Sequence, residues 1–171
     1  QKYIITILAQ SHHLKSGTGV TAAKQVERYR QLAETIRPYF PRERAEIVLK
    51  LHPSDNKAIY TSLISLGVIV CDDKADTGEL ICLSDLCVTD AWTTANFIIL
   101  ASDTRAIFLN FSRTKAVNKL AGESFHLRQI IDSPEEFKNV LALAARGELE
   151  RNYDNDFLDK KSLEKIVAFI N

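Results

Sequence analysis

Residues 45–71 read AEIVLKLHPSDNKAIYTSLISLGVIVC and hold a strand, a connector and a second strand in one unit. Ala45 to Leu51 is a near-continuous apolar run of strand length. His52-Pro53-Ser54-Asp55 stops it, because Pro53 has no backbone N–H for a ladder, and Ser54 or Asp55 can cap a helix running to about Leu66. Gly67 ends that helix, and Val68-Ile69-Val70-Cys71 is a β-branched strand. Strands apolar on both faces belong to parallel sheets covered on both sides, and parallel neighbours require a right-handed crossover between them.

The same alternation extends in both directions. Towards the N-terminus, Tyr3 to Ala9 is a strand and Gln10 to Gly19 a polar loop, after which Thr21 caps a helix. Ala22, Val26, Tyr29, Leu32, Ala33 and Ile36 recur there at helical spacing until Pro38 and Pro41. Towards the C-terminus, Gly78 to Ser84 reads as a short helix and Asp85 to Thr89 as a fourth strand. Thr93 to Ala101 is a helix apolar on nearly every side, which predicts burial. Thr104 to Phe111 is a fifth strand, Ser112 to Glu123 a polar loop, and Phe125 to Ile131 a candidate sixth strand. Ser133 with Glu136 forms a capping box opening a helix to about Arg146, and Ser162 to Ile170 reads as a final helix. The expected fold class is α/β, a three-layer αβα sandwich around a parallel Rossmann-like sheet, with residues 1–171 as a single domain.

Composition narrows the functional classes. Twenty-two basic and 22 acidic residues cancel, so no global field draws in nucleic acid or an anionic membrane, and any anion site must be local. The apolar runs are all interrupted well short of the roughly 20 residues of a membrane span. The opening Gln1-Lys2-Tyr3-Ile4-Ile5-Thr6-Ile7 is a strand pattern rather than a signal peptide. Cys71, Cys82 and Cys87 are odd in number and sit in or beside apolar segments, which predicts buried free thiols in a reducing compartment. They have no second cysteine pair or nearby histidine to complete a zinc site. The chain has no methionine even at position 1, which suggests a fragment of a longer protein.

In open parallel sheets ligands bind beyond the carboxyl ends of the strands, so the loops there are the candidates. In the loop after the fourth strand, Thr93 and Thr94 offer two hydroxyls at a helix start, where unsatisfied N–H groups and the helix dipole favour a phosphate; simple helix capping is the structural alternative. Asp90 can orient a ligand hydroxyl or cap the same helix, and Trp92 can stack on a base or cover the core. His52, held by Pro53 just beyond Lys50 and Leu51, can donate to a phosphate oxygen, exchange a proton or play a structural part. His12, His13, Lys15, Gly17 and Gly19 form either a loop that approaches a ligand closely or a solvated one. Ser16-Gly17-Thr18-Gly19 is neither a Walker loop nor a full dinucleotide fingerprint.

Lys50-Leu51-His52-Pro53, followed by Leu83-Ser84-Asp85-Leu86-Cys87-Val88-Thr89-Asp90 with Thr93-Thr94, resembles the C-terminal, donor-binding half of GT-B transferases. The nearest groups are the CDP-glycerol glycerophosphotransferases of teichoic acid synthesis and the transferases that polymerise capsules and polysialic acid. The resemblance spans roughly residues 45–111. It implies that His52, Thr93 and Thr94 bind the donor phosphates, with Lys50, Asp90, Trp92, Lys15, Gly17 and Gly19 as weaker donor contacts. UDP-sugar 2-epimerases share the architecture, with His12 or His13 as candidate acid or base, but their Asp-Ser-Gly-Gly after the fourth strand is absent here. Asn110-Phe111-Ser112-Arg113 also lacks the glutamate and arginine pattern frequent after the fifth strand in the transferases.

The resemblance therefore implies a nucleotide-linked donor, with no cofactor and no required metal, in bacterial surface-polysaccharide or teichoic-acid-type synthesis. It implies a missing N-terminal domain that holds the acceptor, so the isolated domain would be inactive. It also implies a cytoplasmic location, with peripheral membrane association through the missing part. A non-catalytic nucleotide-binding or regulatory domain is the reading from a different class.

Overall fold

The computed structural model describes residues 2–11, 19–72, 74–102, 104–110, 119 and 127–151. Five strands form one sheet: β1 (Tyr3–Leu8), β2 (Ala45–Lys50), β3 (Val68–Cys71), β4 (Leu86–Asp90) and β5 (Ala106–Leu109). All neighbours are parallel and the order is β3-β2-β1-β4-β5. Ile131 adds an isolated parallel bridge to Leu109 and Leu127 is a further single bridge residue, so among the described residues the expected sixth strand is present only as isolated bridges.

Side chains alternate strictly between two cores. Ile5 and Ile7 of β1, Ile47 and Leu49 of β2, Leu86 and Val88 of β4, and Ile107 and Leu109 of β5 face one layer. That layer consists of α1 (Ala22–Ile36), a 3-10 helix (Lys57–Leu66) and α4 (Pro134–Ala145), contributing Tyr29, Ile36, Tyr60, Leu63 and Phe137. Leu8, Cys87, Ala106 and Phe108 point the other way, onto Ile81 of α2 (Thr77–Leu83) and Ile99 and Leu100 of α3 (Ala95–Ser102). Phe108 and Ile107 are fully buried on opposite faces, and each such side chain contributes about 1.5–3 kcal/mol of transfer free energy. The three-layer αβα fold is thus the one expected. The chain moves outward from β1 to β3 with its helices on one face. It returns across β1 to β4 and β5 with helices on the other, as right-handed crossovers demand.

Local signals set most element ends. Thr21 caps α1 by accepting from the Lys24 N–H at 3.2 Å. Ser133 caps α4 by accepting from the Glu136 N–H at 3.2 Å, with Pro134 in the first turn. The capping box is only half made, because the Glu136 carboxylate accepts from Gln129 Nε2 at 2.7 Å instead of reaching back.

Four local expectations need correction. The connector after β2 winds as a 3-10 helix, and its cap is Asn56, whose side chain accepts from the Ala58 N–H at 2.9 Å, rather than Ser54 or Asp55. The α3 helix is not fully buried. Asn96, Ile99 and Leu100 face inward, but Phe97 and Ile98 are 44% and 38% exposed, because only one helical layer separates that face of the sheet from solvent. The thiols also differ: all three are free, but Cys87 alone is buried, Cys71 is half-buried and Cys82 lies exposed on α2. Finally, the sheet is not covered throughout, since Ile69 on edge strand β3 is 48% exposed on the face opposite α1. The expected helix over Ser162 to Ile170 lies outside the described residues.

Candidate functional site

Reversal of strand order between β1 and β4 opens a crevice at their carboxyl ends, where the two connections leave in opposite directions. The β4 exit is built around two buried polar residues. Asp90, 5% exposed, accepts from the Trp92 N–H at 2.8 Å and so turns the chain just beyond the strand. Asn96, fully buried in the first turn of α3, donates through Nδ2 to the carbonyls of Ala91 at 2.9 Å and Asp90 at 3.3 Å. Its Oδ1 is buried without a hydrogen-bond partner.

Between these anchors, Thr93 is half-buried and Thr94 exposed. Thr93 Oγ1 accepts from Gln10 Nε2 at 2.8 Å and from the Ala95 N–H at 3.4 Å. The next two helix N–H groups are also engaged, Asn96 with the Thr93 carbonyl at 3.2 Å and Phe97 with the Thr94 carbonyl at 3.1 Å. The helix start therefore closes much of its donor set on itself. Trp92 is 47% exposed beside them.

Gln10, two residues beyond β1, is the residue that sequence reasoning missed. Its side chain crosses the switch point to Thr93, and its backbone is clamped from below: the N–H donates to the Tyr29 hydroxyl at 2.8 Å, which donates back to the Gln10 carbonyl at 3.4 Å. Ser11 Oγ donates to Asp55 Oδ1 at 3.0 Å, tying the β1 exit to the His52 loop. Beneath them, Tyr29 and Tyr60 tilt against one another with ring centroids 6.1 Å apart, and the Tyr60 hydroxyl accepts from Gln25 Nε2 at 2.5 Å. Burial is the largest influence on both phenols and raises their pKa values, with the charge of Asp55 acting in the same direction. The available signal was an uncharged amide as the first polar residue after an apolar strand.

His52 is half-buried at the β2 exit. Its Nδ1 accepts from the Ser54 N–H at 3.2 Å, so the neutral imidazole carries its proton on Nε2 and presents a donor there. Lys50 is buried at 3% exposure, and its ammonium donates to the carbonyls of Leu51 at 2.9 Å and Asp72 at 3.0 Å, joining the ends of β2 and β3. Gly19 adopts a left-handed φ of 63° that favours glycine, with open space around it. His12, His13, Lys15 and Gly17 lie outside the described residues. The structure thus brings His52, Asp90, Trp92, Thr93 and Thr94 to one sheet edge, linked through Ser11–Asp55 and Gln10–Thr93, and it buries Lys50 beneath that edge.

A cleft of about 880 Å3 runs between α1 and α4 beside the carboxyl end of β5, with Lys24, Arg28, Asn110, Asp132 and Ser133 in its wall. None of the described residues named in the sequence as donor contacts lines it. Among the described residues there is no cluster of histidine, cysteine and carboxylate side chains able to hold a metal, and no helix is long and apolar enough to cross a membrane.

Comparison with solved structures places this architecture. A variant of the wall teichoic acid polymerase TagF matches with a TM-score of 0.55 at 13% identity, over 99% of this chain and 43% of that one. The same polymerase soaked with CDPG gives a TM-score of 0.43 at 13% identity, over 99% and 40%. The glycosyltransferase SnogD from Streptomyces nogalater gives 0.44 at 15% identity, over 98% and 43%. No family model and no curated protein matches the sequence. The chain spans less than half the length of these neighbours, and at such low identity the likeness is one of fold. At that level the chain is a parallel, Rossmann-like α/β domain.

Proposed function

We propose that this domain binds a nucleotide-linked donor, carrying a sugar or glycerol phosphate, at the β1/β4 crevice, and that it serves as the donor-binding half of a GT-B transferase in surface-polysaccharide or teichoic-acid-type synthesis. The observation that carries the reading is the placement of Thr93, Thr94 and His52 on one carboxyl edge of a sheet whose order puts its switch point there. The likeness of fold to a teichoic acid polymerase supports it. Phosphate oxygens would accept from the two threonine hydroxyls and from His52 Nε2, and these donors would stabilise charge on a leaving diphosphate. The neighbouring cleft beyond β5 lies within the size range of small-molecule sites and gives room for the rest of the donor. In this reading the acceptor is held by a further domain, and membrane association comes through that part.

Titration of the purified chain with UDP, CMP and CDP-glycerol tests the proposal. Saturable binding of at least one is expected, weakened about tenfold or more by His52→Ala and by Thr93→Ala/Thr94→Ala, since hydrogen bonds to charged groups are worth roughly 1.5–3 kcal/mol. No saturable binding by the wild type would refute a donor-binding role. Binding unaffected by these substitutions would refute the site.

A further inference from the structure

On the reading that the crevice binds a donor diphosphate, we infer that Gln10 is a positioning residue that fixes Thr93 as a hydrogen-bond donor and thereby makes the edge select oxyanions. A threonine hydroxyl has two lone pairs and one proton. Both acceptor positions of Thr93 are occupied, one by Gln10 Nε2 at 2.8 Å and one by the Ala95 N–H at 3.4 Å, so its remaining capacity is the O–H. The buried Tyr29 hydroxyl anchors the Gln10 backbone through its N–H and its carbonyl, which fixes the point from which the side chain reaches Thr93. His52 is polarised in the same sense, its Nδ1 filled by the Ser54 N–H and its Nε2 left to donate. Two donors with satisfied acceptors suit a ligand whose contacting atoms only accept, as the oxygens of a diphosphate do, and disfavour groups that must donate.

The test is a double-mutant cycle read by calorimetric titration of the purified chain with UDP and with CDP-glycerol, using Gln10→Leu, Thr93→Val and the pair. Each single substitution is expected to weaken binding about tenfold. The double variant should lose no more than Thr93→Val alone, because Gln10 acts through that hydroxyl. Gln10→Glu, which keeps the shape but captures the Thr93 proton, should weaken binding more than Gln10→Leu does. Thermal melts of each variant check that the fold persists. Fully additive losses, or unchanged binding by Gln10→Leu and Gln10→Glu in a wild type that binds, would overturn the positioning role while leaving donor binding intact. A wild type that binds neither ligand overturns both.

Discussion

At the scale of single residues, environment rather than identity sets chemical behaviour. The three cysteines make the point. Burial is the main cause of the rise of the Cys87 thiol to about 12, while Cys82 lies exposed on α2. A thiol alkylates or exchanges only as the thiolate. In the native protein at pH 8, an aromatic disulfide reagent should therefore label Cys82 rapidly, while Cys87 reacts only once the chain is unfolded. Peptide mapping of the labelled protein checks the order, and rapid native labelling of Cys87 would contradict its burial. Strand patterns showed that each cysteine sits in or beside an apolar segment. They could not show which helix face Cys82 takes, because a seven-residue helix offers too short a period to fix its phase. The same limit hid Gln10. Its importance comes from Tyr29, 19 positions away, and from Thr93, 83 positions away, and no local pattern reports contacts at such separations. The placement of Thr93, Thr94 and His52 at the carboxyl edge was legible because strand ends and a proline mark where that edge lies.

At the scale of elements, the first four strands were legible to within a residue, whereas the expected fifth, Thr104 to Phe111, is a strand only over Ala106–Leu109 among the described residues. Val68–Cys71 is found at its expected bounds, and Ala45–Lys50 differs by one residue. Period-two burial on both faces leaves a strong compositional trace. Helix type did not, because α and 3-10 windings share capping chemistry and apolar content and differ by fractions of a turn. The 3-10 helix ends at Gly67, in the left-handed region at φ 73°, where a Cβ would also lie 2.7 Å from the Arg42 guanidinium. Gly67→Ala should destabilise the protein by about 1 kcal/mol, the combined effect of αL strain and a displaced arginine. Urea unfolding monitored by circular dichroism measures it, and a neutral result would mean that the helix stop rests on the start of β3 alone. The α3 helix was misjudged for a related reason. Uniform apolarity is compatible with burial all round or with a surface helix that leaves part of itself open, and sequence does not distinguish a covered outer layer from an uncovered one.

At the scale of the whole molecule, buried acids held in their protonated form couple stability to alkaline pH. Cys87, Tyr29 and Tyr60 all have folded pKa values above their ordinary ones, so the folded state retains protons that the unfolded chain releases. Their contribution is complete below about pH 9 and declines as pH rises from there through about 12. The urea midpoint should accordingly be flat with respect to these groups from pH 7 to about 9 and fall above it. Circular dichroism at stepped pH checks the slope, and a midpoint that rose between pH 9 and 11 would contradict the buried, protonated network beneath the edge.

That network lies at the top of the sheet. The opposite rim is governed by Arg37, just beyond α1, whose guanidinium donates to the carbonyls of Phe40 at 3.3 Å, Ala45 at 3.0 Å and Gly67 at 2.7 Å. Three successive segments, the α1 exit, the root of β2 and the root of β3, thus converge on one planar cation. The consequence is mechanical. The first half of the domain is bound at its base like a book along a single spine, the α1 exit and the roots of β2 and β3 held by the same side chain.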